Sequence, residues 1–225
     1  TKSSWVKSGI ILKNIMKYWL ALWWGAARGL AHIWVIKYLE EHHIEISEVS
    51  GTSMWAVVAA LFTIWKSSSE ISNIAKELSL LQLVDLDFKT GLLKGKKIEQ
   101  KLEDIFGDYK IENTYIPLKI IATNIETSIP HIFTSGSIVE ALRASISLPW
   151  IFTPKKINSQ DYVDWGIMMN LPIQALSWNN IIAVSALKIN TWPIQKTKTL
   201  MWIEFNSWFF KNNFEAVFFN TLNDC

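Results

Sequence analysis

The chain reads as an α/β protein built on a mostly parallel central sheet. Three observations predict this. Short apolar runs alternate with stretches of helical spacing along most of the sequence. Several of those runs are continuously apolar, as strands covered on both faces are. The loops between run and helix are short and rich in small residues, as at "WWGAARG" (23–29) and "GTS" (51–53).

The elements follow in order. "YWLAL" (18–22) is a short apolar run before a small-residue loop and reads as a buried strand. "WWGAARG" (23–29) is the loop. "LAHIWVIKYLEEHH" (30–43) has apolar residues at helical spacing and charges at its end, so it reads as a helix. "IEISEVS" (44–50) alternates as a strand does. A tight turn then leads into a helix, "MWAVVAALFTIW" (54–65), whose apolar run is too short to span a bilayer. "SSSEISNIAKELSLLQL" (67–83) opens with Ser followed by Glu, a capping signature. "KKIEQKLEDIF" (96–106) is an amphipathic helix, and the cluster "KGKK" (94–97) is its solvated start. "PLKIIATNI" (117–125) and "NNIIAVSAL" (179–187) are buried strands, and His131 opens another short one. "IVEALRASI" (138–146) is a helix. "DYVDWG" (161–166) is a strand running into a turn. The Phe-rich stretch after residue 190, "FNSWFFKNNFEAVFFNTLN", reads as a helix whose packing partner lies past the chain end.

Composition narrows the function classes. A chain of 225 residues, 50% hydrophobic, suits a single domain over 1–225, with an N-terminal extension (1–17) and a C-terminal segment (191–225). The net charge of +2 carries no basic stripe, so nucleic acid is not an expected partner. The lone cysteine, Cys225, permits no intrachain disulfide and fits a reducing compartment. No secretory signal pattern opens the chain, and a start at Thr1 reads as a trimmed end. A cytoplasmic location, peripheral to the inner membrane face, is therefore expected.

The residues with chemistry lie on loops. Ser53 stands where a strand turns into a helix, the geometry that projects a nucleophilic oxygen clear of a sheet. Its surroundings, Gly51-Thr52-Ser53-Met54-Trp55, are one residue away from G-x-S-x-G. A helix N-terminus there favours developing negative charge. A serine nucleophile needs a base, but no histidine has a fitting context. His42 and His43 end a helix in a polar run, His131 opens a strand, and His32 suits a structural role. Asp164 ends a strand before a turn and could present a carboxylate there; taken alone it reads as a turn or cap aspartate. Gly25, Ala26, Ala27 and Gly29 would let backbone N–H groups approach a ligand oxygen, with Arg28 adding positive charge. The same strand, loop and helix could cradle a dinucleotide, but that leaves Ser53 and Asp164 unexplained.

Four blocks in one order add specificity. "LALWWGAARGLAHIWVIKYLEE", "VSGTSMW", "ALRASISLPWIFTP" and "YVDWGIMMNLPI" together resemble the patatin-like phospholipase family, in particular its bacterial members related to the neuropathy target esterase domain. The resemblance covers about residues 18 to 190. It implies a three-layer α/β/α sandwich and a Ser–Asp dyad without histidine. Ser53 would attack an ester carbonyl, Asp164 would move the proton, and the 25–29 loop would form the oxyanion hole. It implies lipid ester substrates, transient contact with a membrane surface, and no metal or other cofactor. Its motif positions are Gly51, Thr52, Met54 and Trp55 at the elbow and Trp165 and Gly166 after the aspartate. A non-catalytic lipid- or partner-binding member is the alternative.

The departures from the family pattern are all of one kind. Trp23, Trp24, Trp34, Trp55, Trp150 and Trp165 stand where the pattern has, or commonly has, glycine, and others such as Trp65 ("TIWKSS") sit in glycine-like contexts. The chain has 13 Trp and 9 Gly. Glycine is thus roughly 4 per cent of it, against a usual share of about 7 per cent. Divergence would scatter such positions into Ala, Ser and Asn. A single substitution type instead suggests UGA codons, which some bacteria read as Gly, written out as Trp. If the indoles are real, each would cost about 1–3 kcal/mol of overpacking where glycine is needed, and left-handed positions would add strain.

Overall fold

A computed structural model describes residues 18–23, 30–84, 95–164, 175–177, 180–185, 199–204 and 219–221. Its strands are β1 (Tyr18–Trp23), β2 (Ile46–Thr52), β3 (Leu118–Asn124), β4 (Pro130–Phe133), β5 (Lys155–Ile157), β6 (Gln160–Val163), β7 (Asn180–Ser185), β8 (Thr199–Glu204) and β9 (Phe219–Thr221). Its helices are α1 (Leu30–Glu41), α2 (Met54–Thr63), α3 (Ser68–Val84), α4 (Lys96–Phe106) and α5 (Ile138–Ser145).

The strands form one sheet in the order β5-β6-β3-β2-β1-β7-β8-β9, with β4 also paired to β3. The five central strands, β3 to β8 through β2, β1 and β7, are parallel. The outer pairings are antiparallel. The crossovers from β1 through α1 to β2, and from β2 through α2–α4 to β3, step in the same direction. Right-handed connections then put these helices on one face. Contacts of α3 with α1, α2 and α4, and of α5 with α2 and α4, make them one continuous layer. The α/β architecture with a parallel centre is as the sequence predicts. The opposite face of the expected sandwich falls outside the described residues.

Local chemistry explains the elements. All ten residues of α2 are buried, because the helix lies between the sheet and its neighbours. The apolar positions of α4, Ile98, Leu102 and Phe106, repeat every fourth residue and are its buried stripe. Lys96 and Lys97 open α4 exposed. At the start of α3 the Ser67 N–H donates to Glu70 Oε2 (3.0 Å) and the Glu70 N–H donates to Ser67 Oγ (3.3 Å), a reciprocal capping box.

Several differences from the sequence reading have physical reasons. β2 runs two residues further than expected, to Thr52, and is buried along most of its length, being a central strand between β1 and β3 with α2 packed on it. The alternation in "IEISEVS" therefore does not mark a half-solvated strand. Glu48, the charged residue inside it, is neutralised by Lys119 of β3 at 2.7 Å. β5 and β6 form a hairpin that composition hides. Its two-residue loop, Asn158-Ser159, has both φ angles positive (48° and 66°), as a type I′ turn needs, but carries Ser where Gly is the usual signal. In the C-terminal segment expected as a helix, Phe219–Thr221 are instead a strand that pairs with β8, which offers it an open edge. The rest of that segment lies outside the described residues.

Two turns carry tryptophan in left-handed backbone. Trp65 follows the C-cap of α2 with φ 62°. The Trp65 N–H donates to the Phe62 carbonyl and the Lys66 N–H to the Leu61 carbonyl, both at 3.0 Å. This is the Schellman motif, whose left-handed residue is usually glycine. Trp150 follows Pro149 with φ 64°, and the Ile151 N–H donates back to the Leu148 carbonyl (3.2 Å). Proline at the second place and positive φ at the third is the type II pattern, which calls for glycine at the third. Both indoles are solvent-exposed, at 66% and 80%. Trp34 and Trp55 lie within α1 and α2, outside the left-handed region.

Candidate active site

The site begins at the junction of β2 and α2. Ser53 lies between them with φ 59° and ψ −144°, a conformation that L-residues rarely adopt and that costs on the order of 1–3 kcal/mol. The turn is tight because helix and strand nearly touch. A Cβ added to Gly51 would stand 2.7 Å from Ala56 Cα and 2.8 Å from the Trp55 carbonyl oxygen, both backbone atoms that cannot step aside. Glycine at 51, the first glycine of the elbow pattern, is therefore required by the close approach of α2 to β2.

Ser53 is half-buried, and its hydroxyl donates to Asp164 Oδ2 at 2.5 Å. Asp164 is 2% exposed and directly follows β6. Its N–H donates to the Ser147 carbonyl (2.8 Å), just past α5. The two residues predicted as a pair are thus brought together across a separation of 111 in sequence.

The backbone of Ser53 is tied at both ends. Its N–H donates to Ser145 Oγ (2.8 Å) and its carbonyl accepts from the Ala56 N–H (3.0 Å). The Ser145 hydroxyl in turn donates to the Ile121 carbonyl of β3 (2.7 Å), to which Thr52 Oγ1 also reaches (3.4 Å). Ser145 and Ser147 are buried, as is Arg143. The Arg143 guanidinium donates to Ser147 Oγ (2.6 Å) and lies over the Phe152 ring. Sequence reasoning gave Ser145 and Ser147 no role. Their available signal was a pair of serines two apart at the end of an apolar helix.

The remaining predicted positions divide. Met54 begins α2, buried. Trp55, expected to crowd the elbow, is 2% exposed and stacks on His32, ring centroids 3.8 Å apart and planes 15° apart. The reason it fits is the flat, buried His32 ring on α1, an aromatic face for the indole. His32 Nε2 is 3.2 Å from the Val184 carbonyl, the structural role expected of it. His42, His43 and His131 are exposed. Gly25, Ala26, Ala27, Arg28, Gly29, Trp24, Trp165 and Gly166 lie outside the described residues.

Comparison with known proteins agrees with this architecture. The profile of the family described as "Patatin-like phospholipase" matches residues 25–177. An uncharacterized NTE family protein of Mycobacterium bovis is 33% identical over 175 residues, covering 76% of this chain and 48% of that protein. The neuropathy target esterase of Drosophila virilis is 34% identical over 163 residues, 68% of this chain and 11% of that protein. The chain thus spans about half the length of the mycobacterial relative and a small part of the insect one. Among solved structures, VipD from Legionella pneumophila superposes with a TM-score of 0.58 at 14% identity, over 76% of this chain and 49% of that one. The ExoU–SpcU complex of Pseudomonas aeruginosa gives a TM-score of 0.50 at 17% identity, over 84% and 43%. With its strand-turn-helix serine, its buried aspartate and a matched span of well over half its length, the chain belongs to the patatin-like phospholipase family, a family of lipid hydrolases.

Proposed function

We propose that the chain hydrolyses carboxylic esters of lipids, phospholipids or lysophospholipids, through Ser53 and Asp164. The observation that carries this reading is the Ser53 hydroxyl donating to the buried Asp164 carboxylate at the elbow. Asp164 takes the hydroxyl proton as Ser53 Oγ attacks the ester carbonyl carbon. The tetrahedral intermediate collapses, the ester C–O bond breaks, and Asp164 returns the proton to the departing alcohol. Water, deprotonated by the same carboxylate, then attacks the acyl-Ser53 ester; the bond to Ser53 Oγ breaks, Asp164 returns the proton to that oxygen, and the fatty acid leaves. The oxyanion is stabilised at the start of α2 and by the 25–29 loop that family resemblance assigns to it. A lipid ester approaches from a membrane surface; no described helix is long and apolar enough to cross one.

Backbone geometry bears on whether the sequence as written can do this. We propose that a subset of its tryptophans are glycines in the native protein, decoded from UGA. Trp65 and Trp150 support this, since each occupies a left-handed turn position that favours glycine. Trp34 and Trp55 are on helices, and their backbone makes no such demand.

Peptide masses from native cells settle the residues first. A fluorophosphonate probe then tests the chemistry on that protein. Labelling that disappears in Ser53→Ala, with esterase activity falling at least a thousandfold in Asp164→Asn, is the expected result. A folded protein with native residues that takes no label refutes the hydrolase reading and leaves the binding-protein alternative.

A further inference from the structure

We infer that Ser145 is a positioning residue for the reaction, and that the end of α5 holds the nucleophile and the base in register. The inference rests on the Ser53–Asp164 hydrolase reading. Ser53 and Asp164 sit on separate turns, one after β2 and one after β6, and those two strands are not neighbours in the sheet. The segment from Ser145 to Ser147 touches both. The Ser145 hydroxyl accepts from the Ser53 N–H (2.8 Å), and the Ser147 carbonyl accepts from the Asp164 N–H (2.8 Å).

Each bond is itself anchored. Ser145 Oγ donates its own proton to the Ile121 carbonyl (2.7 Å), so its lone pairs face Ser53 in a fixed direction. Ser147 Oγ donates to the Arg143 carbonyl (2.7 Å) and accepts from the Arg143 guanidinium (2.6 Å), which braces the last turn of the helix. Gly95 supports that guanidinium from the other side. A Cβ there would meet the guanidinium, so the start of α4 packs closely against Arg143. α5 is therefore clamped at its C-terminal end, and its two exits hold Ser53 and Asp164.

The consequence is specific. Ser53 is strained, and strained backbone persists only where its surroundings over-determine it. Without the Ser145 hydroxyl, the Ser53 N–H loses its acceptor, the turn relaxes, and Oγ moves relative to Asp164. Binding of an acyl chain does not depend on this bond. The step that suffers is proton transfer and attack.

The test compares Ser145→Ala, Ser145→Cys and Thr63→Val in the full chain carrying its native residues. Thr63 is a buried hydroxyl of α2 that donates to the Ala60 carbonyl (2.8 Å), remote in role from the reaction, and controls for lost stability alone. With a p-nitrophenyl acyl ester, Ser145→Ala is expected to lower kcat at least tenfold with KM within twofold. The acidic limb of kcat/KM should move to higher pH, because a carboxylate that loses its donor binds protons more tightly. Ser145→Cys, which keeps a weak donor and acceptor, should recover part of kcat, and Thr63→Val should keep wild-type kcat. If Ser145→Ala does not fold, Ser145→Cys decides: a kcat lowered at least threefold at wild-type melting, with KM within twofold and the acidic limb moved to higher pH, supports the inference. Wild-type kcat and an unmoved pH limb in the folded Ser145 variants overturn it. A wild-type chain that neither labels nor turns over refutes the hydrolase reading itself, so the two failures are distinguishable.

Discussion

Replacing Trp65 and Trp150 by glycine should stabilise the chain as written, although each change removes a large side chain. Left-handed backbone costs an L-residue about 1–2 kcal/mol. Glycine removes that strain but brings about 0.5–1 kcal/mol of extra chain entropy to the unfolded state. Both indoles are largely exposed, so the apolar burial given up is small. Trp65 meets Tyr115 with ring centroids 6.3 Å apart and planes tilted by 41°, and both rings are exposed. From the middle of the two ranges the net gain is about 0.75 kcal/mol at each site. In a chain of 225 residues the pair should raise Tm by roughly 2–8 °C. Trp34→Gly is the opposite case. Trp34 lies inside α1, where glycine lowers helix propensity by about 0.5 kcal/mol or less relative to Trp. Its ring also lies 5.1 Å from Lys37 Nζ, a cation–π contact of about 0.5 kcal/mol at an exposed site. That variant should melt lower. Thermal melts followed by circular dichroism, with urea titrations alongside, read all three. A lower Tm in both Trp65→Gly and Trp150→Gly would refute the turn argument. A rise in Trp34→Gly equal to theirs would show that backbone geometry is not the cause.

Other consequences follow from single contacts. Gly51→Ala puts a Cβ 2.7 Å from Ala56 Cα and should cost about 1–3 kcal/mol, with fluorophosphonate labelling slowed at least tenfold as the elbow is pushed open. Glu70 is held by Lys66 and by the Ser67 side chain and N–H, which lower its pKa from 4.5 to about 2. Because the folded-state value is depressed, the stabilisation is present above the unfolded pKa and is lost as pH falls through about 4.5 towards 2. The urea midpoints of wild type and Glu70→Gln should therefore differ at pH 7, draw together below pH 4.5 and converge only once pH falls below about 2. Lys119→Met should destabilise by about 2 kcal/mol, less than the loss for a fully buried pair, because Glu48 still accepts from the Ser177 N–H (2.9 Å). Adding Glu48→Gln to that variant should recover part of the urea midpoint.

Legibility in the sequence followed the range of each interaction. α4 could be placed to the residue because its buried stripe repeats locally, and the cap of α3 because Ser67 and Glu70 are three apart. Gly51 could be picked out as a motif position because the strand and helix that crowd it are its own neighbours in sequence. The Asn158-Ser159 hairpin was missed because a type I′ turn with serine gives no strong local signal. The β9 strand was missed because its partner, β8, contributes nothing to the pattern of the Phe-rich segment itself.

The sequence by itself determined the α/β class, the alternation of β1, β2, β3, β6 and β7 with the helices, the family, and Ser53 and Asp164 as the residues to watch. Each of these is written in local spacing or in short motifs read in order. Only the tertiary structure decided that Asp164 lies within a hydrogen bond of Ser53. It alone showed that Ser145, 92 residues from the elbow, holds the nucleophile's backbone. It alone showed that two tryptophans occupy left-handed turns. Such facts depend on where distant segments meet and on backbone angles, and neither is encoded in the pattern of any one stretch of chain.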